Sequence, residues 1–181
     1  MDPFAIIRKY YDPGSLSETI LSEHSTLVME KALKIAEHVT FMNPDMTFIR
    51  EAALLHDIGI FLTYAPVLGC FGDRDYICHG YLGRKLLEDE GLPVHGLVCE
   101  RHVGVGIAEA DIEKQNLPLP KRDMLPITLE EKIICYADKF HSKKSGSPQP
   151  EASLVEVRKN ISTYGPEKVL KFDILHMLFS R

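Results

Sequence analysis

The strongest constraint on how this chain folds is a histidine and an aspartate inside its most hydrophobic run. Residues 52–60 read Ala-Ala-Leu-Leu-His-Asp-Ile-Gly-Ile, which predicts buried positions for His56 and Asp57. A carboxylate buried without a partner costs several kcal/mol, and a bound cation is the simplest way to offset that cost. The alternative is that Asp57 caps a neighbouring helix while His56 is a hydrogen-bonded core histidine. The pair therefore predicts either a metal site or a polar core.

Further ionisable residues interrupt apolar helical stripes elsewhere in the chain. Asp138 follows Ile134 by four residues, which places both on one face of a predicted helix. His24 begins the buried stripe of another helix, and His79 and His102 lie on two more. Four histidines with two aspartates exceed what one open catalytic site needs, and their nitrogen and oxygen atoms suit Mn, Fe, Co, Ni or Zn. We therefore expect one or two divalent transition-metal ions, and two adjacent ions would use the whole set.

Helix start and stop signals divide the chain into seven or more helices, and no stretch has the strict alternation of a half-buried strand. Thr128 and Glu131, for example, form a capping-box pattern at the start of one helix. At this length we expect one all-α domain, with helices packed around one core and residues 151–180 on the same domain. The predicted helices cover residues 2–11, 15–41, 45–58, 79–90, 93–103 and 128–141, followed by two that begin at Ser153 and Gly165.

Two segments rich in helix breakers lie between these helices. Residues 107–126 contain Pro118, Pro120 and Pro126, which predicts a short helix followed by a stiff loop. This segment either connects two helices or folds over the site as a lid. Residues 143–150 read Lys-Lys-Ser-Gly-Ser-Pro-Gln-Pro and have the composition of a linker.

Composition and charge exclude several classes of function. The chain has 21 basic and 26 acidic residues, so its net charge of -5 repels a polyanion and argues against broad nucleic-acid binding. The amino-terminal residues lack the features of a signal peptide, and the apolar window 52–62 is too short and too polar to span a bilayer. We expect a soluble cytoplasmic protein with no membrane partner. The four cysteines show no CxxC spacing, which favours reduced thiols.

The order of these residues resembles that of a known family. His24, then His56 with Asp57, then Asp138 reproduce the H…HD…D signature of the HD superfamily of metal-dependent phosphohydrolases. The string His-Asp-Ile-Gly at residues 56–59 is similar to the HDIG subgroup, and the resemblance covers roughly residues 20–142. The Gly-Tyr-Pro string that defines the HD-GYP phosphodiesterases is missing, so cleavage of cyclic dinucleotides is not implied.

The resemblance implies a fold, a ligand set and a reaction. The fold is an HD-domain helical bundle, and the reaction is hydrolysis of a phosphate ester or anhydride of a small metabolite or nucleotide by a metal-activated water. His56, Asp57 and Lys139 are the expected catalytic residues. The expected metal ligands, with Asp57 bridging two ions and the two intervening histidines completing the second ion, are His24, His56, Asp57, His79, His102 and Asp138.

Candidate substrate contacts are the polar residues that flank these ligands. Lys139 directly follows a ligand and is the strongest candidate for holding a phosphate oxygen. Further candidates are Arg101, Lys143 and His141, and, in flanking segments, Lys144 and Arg74. For each cation the alternative is an ordinary solvated surface charge.

Two other functions fit the same residues. Some HD-fold proteins hold a di-iron centre that activates oxygen to cleave organic substrates, and six protein ligands on two metals fit that chemistry too. The second alternative is a module that senses a nucleotide or a metal ion without turnover. The intact ligand set argues against a sensor, because degenerate sensors of this fold are expected to lose ligands.

Overall fold

The computed structural model describes residues 1–143 and 150–180, and within these ranges the chain forms nine α-helices. The all-α prediction is therefore confirmed, and the short helix expected within residues 107–126 is present. None of the helices in the described ranges combines the length and the apolar character needed to cross a bilayer. The helices are α1 (Pro3–Tyr10), α2 (Leu16–His38), α3 (Met46–Leu55), α4 (His79–Asp89), α5 (Pro93–Arg101), α6 (Glu109–Gln115), α7 (Leu129–Asp138), α8 (Leu154–Ser162) and α9 (Pro166–Phe179).

Side-chain caps explain where several helices begin. Ser15 Oγ accepts a hydrogen bond from the Glu18 amide at 3.2 Å and starts α2. Thr128 and Glu131 form the predicted capping box at the start of α7. Such caps satisfy amide groups that have no partner within the helix, and each one contributes about 1 kcal/mol.

Helix α3 is shorter than predicted, and its end sets the position of the histidine–aspartate pair. The sequence predicts a helix to Ile58, but α3 ends at Leu55 and residues 58–62 form a 3₁₀ turn. His56 Nδ1 donates to the Ala53 carbonyl at 2.7 Å, so a side chain occupies an acceptor at the end of the helix. The prediction of a continuous helix here was wrong, because a side-chain hydrogen bond ends it.

Gly59 allows this turn to lie directly against α4. A Cβ atom at position 59 would lie 2.3 Å from the His79 carbonyl oxygen and 2.5 Å from the Gly83 nitrogen. Both contacts are with backbone atoms, which cannot move aside as a flexible side chain would. The close approach brings the turn after α3 next to the start of α4, where His79 lies.

A short antiparallel hairpin follows the 3₁₀ turn, and the sequence did not predict it. Its strands are β1 (Tyr64–Ala65) and β2 (Cys70–Phe71), with Tyr64 opposite Phe71. Gly69, between the strands, has a φ of 72°, which favours glycine. Strands of two residues are too short to show alternation, so the hydrophobic pattern carries no signal for them.

The carboxy-terminal helices pack against α7 through aromatic side chains. Phe172 on α9 is fully buried and stacks against Tyr136 of α7, with their ring centroids 5.4 Å apart. Val157 and Ile161 of α8 belong to the same apolar cluster, which also includes buried residues of α2 and α3. This cluster holds α7, and with it Asp138, in a fixed position.

Candidate metal centre

The structure brings together the six residues expected to bind metal, although they come from different helices. His24 is part of α2, His56 and Asp57 follow α3, and His79 begins α4. His102 directly follows α5, and Asp138 is the last residue of α7. All six are buried, with exposed fractions between 0% and 7%. Most of them lie at helix ends, where the chain turns towards a common centre.

Three of the histidines are oriented by the same local hydrogen bond. In each case Nδ1 lies 2.7 Å from the backbone carbonyl oxygen of the residue three positions earlier. Because a carbonyl only accepts, Nδ1 carries the proton and Nε2 keeps its lone pair. The rings are thereby fixed with Nε2 towards the centre, the arrangement expected of metal-binding histidines. The three pairs are His56 with Ala53, His79 with Tyr76, and His102 with Cys99.

Asp57 lies between two groups of potential ligands and turns one carboxylate oxygen towards each. Its Oδ2 lies 3.2 Å from His24 Nε2 and 3.1 Å from His56 Nε2. Its Oδ1 lies 3.3 Å from Nε2 of both His79 and His102. The two groups, within each of which the ligand atoms lie within 4.8 Å of one another, are His24, His56, Asp57 and Asp138, and Asp57, His79 and His102.

Several polar atoms at this centre lack the partners that burial demands. Within the described ranges, Asp57 Oδ1 and His56 Nε2 are buried and make no hydrogen bond. His79 Nε2 and His102 Nε2 face each other at 3.3 Å, although both are lone-pair atoms when Nδ1 is protonated. Unpaired buried acceptors are unfavourable, and a cation between them satisfies all of them. The residues therefore fit divalent metal ions, and their nitrogen and oxygen atoms suit Fe, Mn, Co, Ni or Zn.

The charges at the centre shift several pKa values. Burial opposes ionisation of Asp57, but the neighbouring charges of His56 and Lys143 outweigh it and hold its pKa well below the ordinary value. Burial opposes protonation of His56, but the Asp57 carboxylate outweighs it and raises the pKa to about 9. Burial lowers the pKa of His79 to about 3. The His79 ring is therefore neutral near pH 7 and keeps its lone pair for coordination.

A cavity of about 470 Å³ lies next to this centre and reaches its second group of ligands. His79, His102 and Asp138 line its inner end, together with the side chains of Lys139 and Lys143. Lys139 Nζ donates to the His102 carbonyl at 3.1 Å and to the Asp138 carboxylate. Two of the predicted substrate-binding lysines therefore line the same cavity as the candidate ligands.

The structure separates the other candidate substrate contacts from this cavity. Arg101 donates to Glu131 at 2.8 Å and so joins the end of α5 to the start of α7. His141 is half-buried and lines a different cavity of about 500 Å³, formed with residues of α2. Arg74 is exposed and lies near the neighbouring Asp73, while Lys144 lies outside the described residues.

Other cavity residues were not singled out by the sequence reasoning. Tyr76 stacks on His79, with ring centroids 4.7 Å apart, and its pKa is raised to about 12 by burial. Val157 and Ile161 of α8 line the opposite wall, beyond the range of the family resemblance. Their four-residue spacing was visible in the sequence, but such spacing marks a core face as readily as a cavity wall. The segment 107–126 contributes Ile107, Asp111, Gln115 and Leu117 to the remaining wall.

Comparison with known families accounts for the arrangement of these residues. Residues 21–143 match the HD domain family, and this range includes all six candidate ligands. The chain belongs to the HD domain family. Proteins of the HD superfamily are generally metal-dependent phosphohydrolases, and the buried His/Asp group of this HD domain is placed to hold metal ions.

Individual relatives of this HD domain carry different names. An uncharacterized protein of Methanocaldococcus jannaschii is 37% identical over 125 residues, which are 67% of this chain and 66% of that protein. Two proteins named tRNA (cytidine(56)-2'-O)-methyltransferase are also similar. The one from Picrophilus torridus is 30% identical over 70% of this chain and 33% of its own length, and the one from Thermoplasma volcanium is 34% identical over 65% and 30%. The chain thus spans two thirds or less of these relatives, and no solved structure matches it.

Proposed function

We propose that this chain is a metal-dependent phosphohydrolase with two adjacent divalent ions, acting on a phosphate ester or anhydride of a small metabolite or nucleotide. The observation that carries the proposal is the position of Asp57, whose two oxygens face two different groups of histidines at 3.1–3.3 Å. A carboxylate in that position suits a ligand shared by two ions. Ions held this way suit the stabilisation of an in-line displacement at phosphorus.

Each ligand has a defined task in this proposal. His24, His56, Asp57 and Asp138 would hold one ion, and Asp57, His79 and His102 the other. Bound ions supply Lewis acidity, which polarises phosphoryl oxygens and lowers the pKa of coordinated water towards neutrality. The backbone hydrogen bonds at Nδ1 keep the imidazole rings in place, so little reorganisation accompanies binding.

The charge of the site favours a phosphate although the protein as a whole is acidic. The two aspartates balance only part of the charge of two divalent ions, which leaves the site at about +2. Lys139 and Lys143 add positive charge at the inner end of the cavity. In this proposal their ammonium groups hold non-bridging phosphate oxygens and orient the phosphoryl group for attack.

Phosphate release by metal-reconstituted protein tests the proposal. Purified protein is loaded separately with Mn, Co, Ni, Zn or Fe and incubated with phosphate monoesters, nucleotides and a tRNA, since two relatives carry the name of a tRNA methyltransferase. We expect phosphate release from small esters, none from tRNA given the net charge of -5, and loss of both metal and activity in Asp57→Ala. Full activity of Asp57→Ala would disprove the proposal.

The same preparations distinguish hydrolysis from oxygen chemistry. An iron-loaded enzyme that needs dissolved oxygen and releases no phosphate would replace the hydrolase by an HD-fold di-iron oxygenase. Activity that is equal with and without oxygen supports hydrolysis. Metal binding with no turnover of any phosphorylated compound would instead favour a sensor.

A further inference from the structure

The cavity next to the metal centre has two chemically different ends. Its inner end contains the candidate ligands and two lysine side chains, Lys139 and Lys143. Beyond them the walls are mainly aliphatic, with side chains from three separate parts of the chain. These are Val103, Val105 and Ile107 after α5, Leu117 after α6, and Val157 and Ile161 on α8.

The aliphatic walls favour a particular kind of bound group. Removing apolar surface of a ligand from water is favourable, in proportion to the area covered. A sugar placed against the same walls would lose hydrogen bonds to water and find few replacements. Val105 and Val157 are only 5% and 1% exposed, so these walls are rigid parts of the core and not mobile surface groups.

The cations of the cavity are concentrated at its inner end. Among the described lining residues the positively charged ones are Lys139, Lys143 and Lys168, and none is an arginine. Lys168 on α9 is paired with Asp111 of α6, and its ammonium is therefore already neutralised. A single phosphoryl group is matched by the two remaining lysines, whereas a triphosphate chain would extend along aliphatic walls.

We propose that this cavity selects monoesters of phosphate whose organic group is predominantly apolar, with the phosphoryl group at the lysine end and the organic group against the aliphatic walls. This inference rests on the proposed hydrolase function. In the reaction, the oxygen of water forms a new bond to phosphorus and the ester P–O bond breaks. The departing oxygen takes up a proton, and the products are inorganic phosphate and an apolar alcohol or phenol.

Binding of phosphonates tests the cavity separately from catalysis, because their P–C bond is not hydrolysed. Phenylphosphonate and methylphosphonate are titrated calorimetrically into the metal-loaded protein. The phenyl group adds only apolar surface, and we expect it to tighten binding by about tenfold or more. Equal affinity for the two phosphonates would overturn the inference, whether or not the protein hydrolyses any ester.

Substrate selectivity supplies the second measurement. The substrates are 1-naphthyl phosphate, glycerol phosphate, AMP and ATP, compared by kcat/KM on one metal-loaded preparation. We expect 1-naphthyl phosphate to exceed each of the others by about tenfold. A preference for glycerol phosphate, AMP or ATP would overturn the inference while leaving the hydrolase intact, whereas no release from any substrate would count against the hydrolase itself.

A pair of isosteric variants on α8 locates the selectivity. Val157→Thr adds a hydroxyl group to the cavity wall, while Val155→Thr makes the same change at a position that is 75% exposed. We expect Val157→Thr to lower kcat/KM for 1-naphthyl phosphate by about fivefold and to leave glycerol phosphate unchanged, with no effect of Val155→Thr. If Val157→Thr unfolds, Val105→Thr tests the opposite wall. Equal losses for both substrates in a folded variant would contradict the inference.

Discussion

The ammonium nitrogen of Lys143 lies 2.8 Å from Oδ2 of Asp57, the same carboxylate oxygen that faces His24 and His56. Lys143 is largely buried, and the charges of Asp57 and Asp138 outweigh its burial and raise its pKa above the ordinary value. A permanent cation therefore lies on the oxygen that a metal ion would also use. Lys143 and a metal ion at the first group of ligands compete for Asp57.

Removal of that cation should strengthen metal binding and weaken substrate binding. In Lys143→Met we expect the metal Kd to fall by about tenfold, because the like charge near the ion is gone. We also expect KM for phosphate esters to rise, because one phosphate contact is lost. Metal titration and steady-state kinetics measure both effects. Lys114→Met, an exposed change on α6, is the control, and an unchanged metal Kd in Lys143→Met would contradict the competition.

The shared position of Asp57 leads to an expected order of metal stoichiometry. Elemental analysis of protein purified without chelator should find close to two ions per chain in the wild type. We expect one ion in His79→Ala, which removes a ligand of the second group only, and none in Asp57→Ala. His38→Ala serves as the control because His38 is exposed on α2. Two ions retained in Asp57→Ala would exclude a bridging role for this carboxylate.

Metal uptake should release protons, because the ligands carry a proton that coordination displaces. His56, with a pKa of about 9, is protonated at pH 7, and an imidazole must be neutral to coordinate. Metal affinity should therefore fall as the pH falls, by about tenfold per pH unit between 9 and 7 for each proton displaced. Calorimetric titrations in two buffers with different enthalpies of ionisation count the protons. Buffer-independent enthalpies at pH 7 would show that no proton leaves.

Sequence reasoning predicted the residues of the centre better than the ends of the helices that carry them. His24 and Asp138 stood out because a polar group on an apolar stripe is costly unless it has a task or a partner. The end of α3 depends on two things that composition does not show. One is the bond from His56 to Ala53, and the other is the contact of Gly59 with the backbone of α4.

The cations next to the ligands show where sequence reasoning reaches its end. Arg101 and Lys139 each adjoin a candidate ligand, and on sequence alone both were suited to hold phosphate. The packing of α5 against α7 gives Arg101 a partner in Glu131, whereas Lys139 lines the cavity. Only the relative placement of two helices distinguishes them. The same is true of Val157, whose apolar character does not reveal that one side of it borders a cavity.

The ion pair between Asp111 and Lys168 should make stability depend on pH in a predictable direction. It connects α6, in the cavity wall, with α9, and Lys168 is buried with a further contact to the Gly106 carbonyl at 3.5 Å. Partial burial opposes ionisation of Asp111, but the bonds from Lys168 and the Ala108 amide outweigh it and lower the pKa. The folded protein therefore binds this proton less readily than the unfolded chain, whose aspartate pKa is about 3.9.

The stabilisation from Asp111 is accordingly present above about pH 4 and lost as the pH falls through the lowered pKa. We expect Asp111→Asn to reduce the free energy of unfolding by about 1–3 kcal/mol at pH 7, because Lys168 is left buried without its partner. The difference from wild type should shrink towards pH 3, as urea titrations at several pH values would show. Glu113→Gln on the same helix breaks only an exposed pair with Lys121 and should change little. A difference that stays constant between pH 7 and pH 3 would mean that Asp111 stabilises the fold by its shape and hydrogen bonds and not by its charge.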